Sequence, residues 1–484
     1  MILNRTNFKE YKKNPEKVIQ FGSGNFLRCF INWQLDIINE KTNLNAGVAI
    51  VKPSNSERAP LLDVQDGLYT TIIRGIDENQ NLVKDFRVIS SVNREIPIYK
   101  QFNEYLKLAH NPEMRFIFSN TTEAGIAYSA HDKYDDTPQE TFPGKLTRLL
   151  HERFKTFEGA TDKGFIILPC ELIDYNGEKL KEIVLKYATL WNLEEKFKLW
   201  LEESNVWCST LVDRIVTGYP FNEKEELEKE LGYEDQFMVT GEYFHLFVIQ
   251  GPKDILEKEL KLKEVNLNIK IVEDLKNYKM IKVGILNGAH TSMVPVSYLY
   301  GIDTVKETLD DEVLGEFVKE TIYKEIIPAL EMDETELLEF ADAVINRFKN
   351  PYVEHFLKAI SLNSMTKYKT RILPQLLNYK KKTGELPKKL VFSLASMIRF
   401  YKGDRNGEII DLKDDRWILD LYSDLWNKFD GTDDDYKKII NEILGLESHW
   451  DINLNTVEGL AEQLFVYLKT IDQLGMKRAI KEVL

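Results

Sequence analysis

The sequence predicts an α/β domain with a mostly parallel sheet, followed by a predominantly α-helical domain. In the first half of the chain, short continuous apolar runs alternate with amphipathic stretches. That rhythm is typical of parallel strands covered by helices on both faces. From about residue 275 onward, apolar residues recur almost entirely at helical spacing. A charged stretch after residue 220 separates the two sequence patterns, and we expect domains at 1–235 and 236–484.

The individual elements follow from the same patterns. Apolar runs that end in glycine or proline have strand length, and the predicted strands are 17–22, 46–53, 114–120 and 163–170. A helix is predicted directly after the first strand, over 25–41. In the second domain, helical spacing predicts helices at 278–300, 311–330, 334–348, 351–363, 385–401, 415–428 and 456–481. The acidic run "DGTDDDY" at 430–436 is expected to be a loop.

Composition and charge exclude several classes of function. The chain has 484 residues and a net charge of −14, which disfavours nucleic acid or an anionic membrane as a partner. The three cysteines are far apart, and none of the seven histidines forms a close ligand pair, so neither disulfides nor a metal site is expected. The N-terminus is polar, and no apolar run reaches the roughly 18 residues of a membrane-spanning helix. We expect a cytoplasmic protein, a monomer or small homo-oligomer, that acts on a small molecule.

A glycine-containing turn follows the first predicted strand. In "QFGSGNFLR", Gly22 and Gly24 lie between a strand and a helix. A dinucleotide pyrophosphate binds at such a place, because glycines permit close backbone approach and the helix N-terminus attracts anions. Leu27 occupies the position of the third glycine of the usual fingerprint. A tight structural turn is the alternative interpretation, and the strand before and helix after it favour a cofactor site.

Two further segments bear on the nucleotide. The second strand ends at Val51-Lys52-Pro53, without the carboxylate that usually binds the ribose of NAD, so spacing leaves NAD and NADP open. The run "FSNTTEAG" leaves a buried strand and places small polar residues in a loop. At the carboxyl end of a parallel strand such a loop lines the ligand crevice. Contact with a cofactor and ordinary helix capping are both open for Asn120, Thr121 and Thr122.

The run "KVGILNGAHT" contains three polar groups in an otherwise small and apolar helix. In an α-helix with about 100° between neighbours, His290 would lie about 80° and Asn287 about 140° from Lys282, all on one side. Oxidation of a secondary alcohol without a metal needs a base, and a lysine serves when burial brings its pKa towards neutrality. Asn287 and His290 can donate hydrogen bonds to the reacting oxygen. Each residue alone has a plain structural interpretation, but the three together indicate an acid/base site.

Several basic residues fall in segments that otherwise look buried. Such a residue most often pairs with a carboxylate of the protein, for which Asp213 and Asp342 are candidates. The alternative is a pocket for an anionic or polyhydroxylated substrate, since arginine matches the geometry of a carboxylate. The candidates for that pocket are Arg214, Arg347, Lys367 and Arg371.

Taken together, these motifs resemble those of the mannitol dehydrogenase family of polyol-specific long-chain dehydrogenases. The resemblance extends over nearly the whole chain and is carried by "VIQFGSGNFLR", "QDGLYTTIIRG", "SVNREI", "LAHNPEMRFIFSNTTEAGI", "PCELIDYNG", "CSTLVDRIVTGYP", "LNGAHT" and "TRILPQLL". It implies an N-terminal Rossmann-type domain, a helical C-terminal domain and an active site between them. It also implies NAD as the cofactor, despite the missing carboxylate, and reversible reduction of D-tagaturonate to D-altronate.

The resemblance also implies roles for individual residues. Lys282 would be the general acid/base, and Asn287 and His290 would polarise the reacting oxygen. Lys367 matches a family lysine that helps to hold the substrate. The segment from Ile19 through Phe30 would carry the cofactor phosphates, and the expected cofactor contacts are Ile19, Gln20, Phe21, Gly22, Ser23, Gly24, Asn25, Phe26, Leu27, Arg28, Asn120, Thr121 and Thr122.

The sequence departs from the family pattern at two positions. Many relatives have an asparagine near the oxyanion where this chain has Leu172. Either Asn176 replaces that donor in substrate binding or one donor is missing. Some relatives carry a glutamate three residues before the lysine as a proton exit, where this chain has Lys279. The route of the proton is then open.

Three alternative functions are distinguishable by experiment. A fructuronate-reducing enzyme of the same family would differ only in the preferred ketouronate. An isomerase or epimerase of a sugar acid would retain its nucleotide without net redox. A non-catalytic nucleotide sensor would have no need of the lysine, asparagine and histidine.

Overall fold

The parallel sheet predicted for the first half of the chain is present in the computed structural model, which describes residues 1–55, 61–121 and 125–484. The chain divides into two units. Unit 1 comprises Met1–Gly75 and Leu82–Lys276, and unit 2 comprises Ile76–Asn81 and Asn277–Leu484. Within the described ranges, no helix is both long and apolar enough to cross a membrane.

The strands of the N-terminal part form three sheets. In chain order they are β1 (Glu16–Phe21), β2 (Gly47–Lys52), β3 (Tyr69–Ile76), β4 (Leu82–Ile89), β5 (Val92–Pro97), β6 (Phe116–Ser119), β7 (Ile166–Pro169), β8 (Val206–Trp207), β9 (Ser209–Asp213), β10 (Val216–Gly218), β11 (Val239–Glu242), β12 (Leu246–Gln250) and β13 (Ile269–Val272). The largest sheet has the order β5-β2-β1-β6-β7-β8, and its strands pair in parallel. This confirms the predicted Rossmann-type sheet.

Both faces of this sheet are buried, which explains the continuous apolar runs in its strands. Alternate residues of each strand belong to two different hydrophobic cores. One core contains Val18, Val48, Phe116 and Leu168. The other contains Ile19, Val51, Ile117 and Ile167. The parallel register brings Phe21, Val51, Ser119 and Pro169 to one edge of the sheet.

Two smaller sheets were not predicted. One has the order β10-β11-β3-β4, and the other has the order β13-β12-β9. Strands β11, β12 and β13 follow residue 235, yet β11 pairs with β3 and β12 pairs with β9. For this reason unit 1 continues to Lys276, beyond the boundary expected between residues 235 and 236.

Helices pack against the three sheets of unit 1. They are Asn25–Cys29, Ile31–Lys41, Phe102–Lys107, Phe142–Thr156, Asn176–Leu190, Glu195–Glu203, Lys224–Leu231 and Lys253–Glu259, with 3₁₀ turns at Leu62–Gln65, Leu108–His110, Thr161–Lys163, Phe221–Glu223 and Leu262–Glu264. The predicted helix 25–41 is interrupted at Phe30, which separates its first two helical segments.

Unit 2 is predominantly helical, as predicted, around a hydrophobic core of its own. Its α-helices, beginning with the one that crosses the division, are Lys276–Ile281, Gly288–Tyr300, Val305–Asp310, Glu312–Glu320, Ile327–Ala329, Glu334–Phe348, Leu357–Ile360, Ser364–Arg371, Leu373–Thr383, Lys388–Phe400, Arg416–Asn427, Asp433–Leu444, Glu447–Trp450, Leu460–Leu474 and Met476–Ala479. It also contains π-helices at Lys282–Asn287 and Thr321–Ile326, 3₁₀ turns at Leu454–Thr456 and Ile480–Glu482, and a hairpin of β14 (Asp404–Arg405) and β15 (Glu408–Ile409).

The acidic run expected to be a loop instead begins a helix. Thr432 caps that helix by accepting from the N–H of Asp435, and the Asp435 carboxylate accepts from the N–H of Thr432 in return. Three aspartates occupy the first turn, Asp433, Asp434 and Asp435. Negative charge is favourable there because the N-terminal end of a helix is positive. The prediction of a loop at 430–436 was therefore wrong beyond Thr432.

Candidate active site

A glycine turn lies at the carboxyl edge of the parallel sheet, between β1 and the helix Asn25–Cys29. Gly22 has a φ of +113°, and a Cβ added there would lie 3.0 Å from the carbonyl oxygen of Asn120. Its N–H donates to Val51 O at 3.0 Å. Gly24 is exposed, and a Cβ built on it would meet no atom within 4 Å. The turn thus opens onto free space at a helix N-terminus, where unpaired backbone N–H groups favour an anion.

The predicted cofactor residues of this segment fall into two groups. The side chains of Gln20 and Arg28 are buried and support the turn from below. Gln20 Nε2 donates to Gly22 O at 2.9 Å, and the Arg28 guanidinium donates to Asn25 Oδ1 at 2.6 Å. The partly or fully exposed residues are Ser23, Gly24, Asn25 and Phe26, whereas Ile19, Gln20, Phe21, Leu27 and Arg28 are buried. Direct contact with a cofactor is therefore expected from Ser23 to Phe26, a narrower range than Ile19–Arg28.

The loop after β6 lies beside this turn. The N–H of Asn120 donates to Phe21 O at 3.1 Å, and its side-chain Nδ2 donates to Cys170 O at 2.7 Å. Thr121 donates from both its backbone N–H and its hydroxyl to Oε1 of the buried Glu171, at 2.9 and 3.0 Å. Thr122 lies outside the described residues. The structure brings Asn120 next to Gly22, and their contact with a cofactor stays a prediction.

Asn176 does not have the substrate-binding position that the sequence suggested. Its side chain is fully buried, and Nδ2 donates to Pro169 O and Glu171 O, each at 3.0 Å. Its Oδ1 accepts from the N–H of Thr210 at 2.8 Å. These bonds fix the backbone after β7, so the amide is used within the protein. Leu172, at the position of the family asparagine, is 66% exposed.

The predicted substrate-binding role of Arg214 is also corrected. We expected its guanidinium either to pair with Asp213 or to hold a substrate carboxylate. In unit 1 it is buried, lies over the Trp33 ring at 4.1 Å, and donates to the backbone carbonyls of Cys29, Glu242 and Tyr243. Backbone carbonyls take its donors, which makes it a structural residue of unit 1.

In unit 2, the residues from Lys282 to Asn287 form a π-helix rather than an α-helix. In this turn, i→i+5 hydrogen bonds place residues five apart about one turn from each other. Lys282 and Asn287 therefore lie closer to one side than the about 140° derived from α-helical geometry. Both are half-buried. π-Turns occur frequently at functional sites, and this one separates the lysine from the histidine of the helix Gly288–Tyr300.

His290 is buried between two rings of unit 2. The ring of Phe348 lies 4.5 Å from it, centroid to centroid, and the ring of His355 meets it edge-on at 4.9 Å. Burial and the charge of Arg347 both lower the pKa of His355. Sequence spacing alone did not single out His355, because 65 positions separate it from His290.

Basic side chains of unit 2 lie around the same helix. Arg371 donates to the hydroxyl of Thr291 at 3.4 Å, and that hydroxyl donates to Asn287 O at 2.8 Å. Lys367 donates to Ile360 O at 2.7 Å, and burial together with the charge of Arg371 lowers its pKa. Burial also lowers the pKa of Arg371.

Arg347 is the third basic residue of this group, with Lys367 and Arg371, and it is buried close to His355. Asp342, its candidate partner, accepts instead from the hydroxyl of Tyr323. The structure thus brings Arg347, Lys367 and Arg371 close to the trio of Lys282, Asn287 and His290. Thr291, which was not predicted, connects Arg371 to Asn287 through its hydroxyl. Among residues 1–55, 61–121 and 125–484, no cluster of three His, Cys, Asp or Glu could hold a metal ion.

Two family models match this chain. The model described as the Mannitol dehydrogenase Rossmann domain matches residues 16–264, and the Mannitol dehydrogenase C-terminal domain matches residues 274–472. The chain belongs to the mannitol dehydrogenase family. Both family domains are thus present, and their division lies close to the one between the two units.

Relatives within the mannitol dehydrogenase family match over the full length. An altronate oxidoreductase of Enterobacter sp. (strain 638) is 54% identical over 481 residues, covering 99% of each chain. Among solved structures, the Pseudomonas fluorescens mannitol 2-dehydrogenase ternary complex with NAD and D-mannitol has a TM-score of 0.68 at 19% identity, covering 100% of this chain and 99% of that chain. A D-sorbitol dehydrogenase in substrate-free form has a TM-score of 0.79 at 20% identity, covering 99% and 100%. The two structures show the same fold.

Each unit of this family member offers a different chemistry. Unit 1 has an open turn with backbone donors for an anionic phosphate group. Unit 2 has an amine, a carboxamide, an imidazole and guanidinium groups around one helix. These are the groups that proton transfer, oxyanion stabilisation and carboxylate binding require.

Proposed function

We propose that this chain catalyses the reversible, NAD-dependent reduction of D-tagaturonate to D-altronate. The observation that carries the proposal is the 54% identity, over 99% of both chains, to a relative named altronate oxidoreductase. The two mannitol dehydrogenase domains support an oxidoreductase that acts on a CH–OH group. The open glycine turn of unit 1 and the lysine, asparagine and histidine of unit 2 fit that class of reaction.

The glycine turn is the proposed site of NAD. Backbone donors from Ser23 to Phe26 would hold the phosphates, and Asn120 and Thr121 would line the neighbouring edge. Support comes from the open space above Gly24 and from the exposure of residues 23–26. The reduced nucleotide supplies a hydride when it is bound.

Lys282 is the proposed general acid in the direction of reduction. Its ammonium group donates a proton to the substrate carbonyl oxygen as the carbonyl carbon gains two electrons with the hydride, and the lysine is left neutral. In the reverse direction the neutral amine accepts the proton of the hydroxyl. Asn287 and His290 donate hydrogen bonds to the same oxygen and stabilise its developing negative charge.

The substrate carboxylate is the proposed ligand of Arg347, Lys367 and Arg371. Guanidinium groups bind carboxylates through paired hydrogen bonds, and their charge offsets that of the ketouronate. Support comes from the burial of Arg347 and from the bond that joins Arg371 to Thr291 on the helix of the trio. Arg214 and Asn176 are excluded from this role because their donors bind backbone carbonyls of the protein.

The test is the loss of NADH absorbance when the purified protein meets D-tagaturonate, D-fructuronate or neither. We expect rapid oxidation of NADH with D-tagaturonate and a kcat/KM at least tenfold lower with D-fructuronate. A preference for D-fructuronate would instead assign the chain to the fructuronate-reducing enzymes of the family. Conversion of substrate without loss of NADH would indicate an isomerase or epimerase, and no conversion would refute the oxidoreductase. NADPH in parallel decides the question left open by the end of β2 at Lys52.

We further propose that the enzyme is a monomer or small homo-oligomer of the cytoplasm that acts without nucleic acid or membrane. The three cysteines are free, buried thiols, which fits a reducing compartment. The net charge of −14 supports the absence of nucleic acid. Light scattering of the purified protein would give the oligomeric state directly.

A further inference from the structure

Glu171 is a buried carboxylate directly after β7, at the edge of the sheet that carries the glycine turn. It is 2% exposed. Its Oε1 accepts from the N–H of Thr121 at 2.9 Å and from the hydroxyl of Thr121 at 3.0 Å, while Oε2 accepts from the hydroxyl of Ser119 at 3.0 Å. All three hydrogen bonds go to the segment that leaves β6.

This segment is in turn packed against the glycine turn. The carbonyl of Asn120, between the two residues that Glu171 holds, is the atom that a Cβ on Gly22 would approach to 3.0 Å. On its other side, Thr121 is packed against Gly125, where a Cβ would lie 1.9 Å from the Thr121 hydroxyl oxygen. The position of the Thr121 side chain is therefore set by Glu171 and Gly125 together, and that of Asn120 is set against Gly22.

Burial of the Glu171 carboxylate is energetically unfavourable. Burial raises its pKa, and hydrogen bonds from Thr121 and Ser119 oppose that effect. Among the titratable neighbours is the buried thiol of Cys170, whose own pKa is raised by burial and by Glu171. A group that is expensive to bury and makes its hydrogen bonds to one loop serves to fix that loop.

We infer that Glu171 is a positioning residue for cofactor binding, which fixes Ser119, Asn120 and Thr121 against the Gly22 turn. The inference rests on the proposed function, because it takes the turn to be the nucleotide site. Its carboxylate is buried and accepts its hydrogen bonds from Ser119 and Thr121. It acts through the loop alone, so its loss weakens nucleotide binding and leaves the chemical step of the bound complex largely intact.

The test compares four variants by titration with NADH alone, followed by its fluorescence. Glu171→Leu loses all three hydrogen bonds, and Ser119→Ala and Thr121→Val each lose one. Glu171→Gln retains an acceptor for Thr121 and a polar group for Ser119. We expect Glu171→Leu to raise the Kd of NADH by about tenfold or more, which corresponds to the loss of one or more net hydrogen bonds. We expect Glu171→Gln to stay within about threefold of the natural protein and Ser119→Ala and Thr121→Val to lie between.

Glu182→Leu is the matched control, because Glu182 is exposed on the helix Asn176–Leu190 that follows. Its Kd should be unchanged. The kcat of Glu171→Leu at saturating NADH should fall no more than about threefold, since a general unfolding defect would lower kcat and the loop effect would not. If Glu171→Leu does not fold, the double variant Ser119→Ala, Thr121→Val decides, with an expected rise in Kd of about fivefold.

An unchanged Kd in folded Glu171→Leu, or in the folded double variant, would overturn the inference. So would a Glu171→Gln variant as weak as Glu171→Leu, because it would assign the effect to charge rather than to hydrogen bonding. The proposed function fails separately, when the natural protein neither binds NADH nor oxidises it with a ketouronate.

Discussion

The glycine turn of unit 1 and the π-helix of unit 2 are built in opposite ways. The turn exposes mainly backbone and small residues, and its supporting side chains, Gln20, Arg28 and Glu171, are buried beneath it. The π-helix instead presents the amine of Lys282 and the carboxamide of Asn287 at a local irregularity of the helix. Changes at the turn should therefore act on nucleotide binding, whereas changes near the π-helix should act on proton transfer and on the substrate. Substitutions at the two places test that separation.

The largest effect is expected from removal of the Lys282 amine. Lys282→Met keeps the length of the side chain but cannot transfer a proton, and we expect kcat to fall by about 10²–10⁴ at neutral pH. The Kd of NADH should be unchanged. Steady-state turnover and NADH titration measure the two effects. The same substitution at Lys381, which is exposed on the helix Leu373–Thr383, is the control. Near-normal turnover in Lys282→Met would remove the lysine from the mechanism.

The two glycines of the turn should separate binding from stability. Gly24→Ala places its Cβ in open space, so we expect an unchanged unfolding midpoint and a Kd of NADH raised by about tenfold. Gly22→Ala forces a side chain into a left-handed conformation against Asn120, which should also cost about 1–3 kcal/mol of stability. Thermal unfolding and NADH titration give both quantities. If Gly24→Ala bound NADH normally, the phosphates would have to lie elsewhere.

A smaller and more selective effect is expected from Arg371. If its guanidinium binds the carboxylate, Arg371→Met should raise the KM for D-tagaturonate about tenfold, at the strength of one charge-assisted hydrogen bond. The KM for D-tagatose, the corresponding ketose without the carboxylate, should hardly change. The KM for NADH should also be unaffected. An equal rise in KM for both sugars would show that Arg371 supports the site through Thr291 rather than binding the carboxylate.

The degree of burial of a strand explains whether the sequence could predict it. The four predicted strands are buried on both faces, so each is a continuous apolar run, and all four are present in the sheet. By contrast β4 has one buried residue, Ile89, and β10 has three residues, so neither has an apolar run to detect. The predicted boundary near residue 235 differs from the division after Lys276, since β11 pairs with β3 and β12 pairs with β9, which both precede that boundary.

Within the site, residue types were predictable and geometry was not. The lysine, asparagine and histidine were recognisable because such groups are unusual in an apolar helix. The π-turn that brings Lys282 and Asn287 to one side was not, because apolar spacing reports the average helix and not a local change of winding. Arg214 shows the converse: its sequence context left a carboxylate partner and a substrate pocket open, but its guanidinium donates to backbone carbonyls, one of them that of Cys29, 185 positions away.

The smallest expected effect concerns the ring that packs against His290. Because burial and Arg347 lower the pKa of His355, the folded protein keeps this ring neutral at pH values where the unfolded chain takes up a proton. The stability that it contributes is present above the ordinary histidine pKa of about 6.5 and is lost as the pH falls through the lowered value. His355→Phe keeps a ring beside His290 but cannot titrate. The unfolding midpoint of this variant should fall less between pH 7 and pH 5 than that of the natural protein, and its kcat at pH 7.5 should be nearly unchanged. Parallel curves for the two proteins would show that protonation of His355 is not coupled to folding, and a large loss of kcat would show that its imidazole, rather than its packing, serves the reaction.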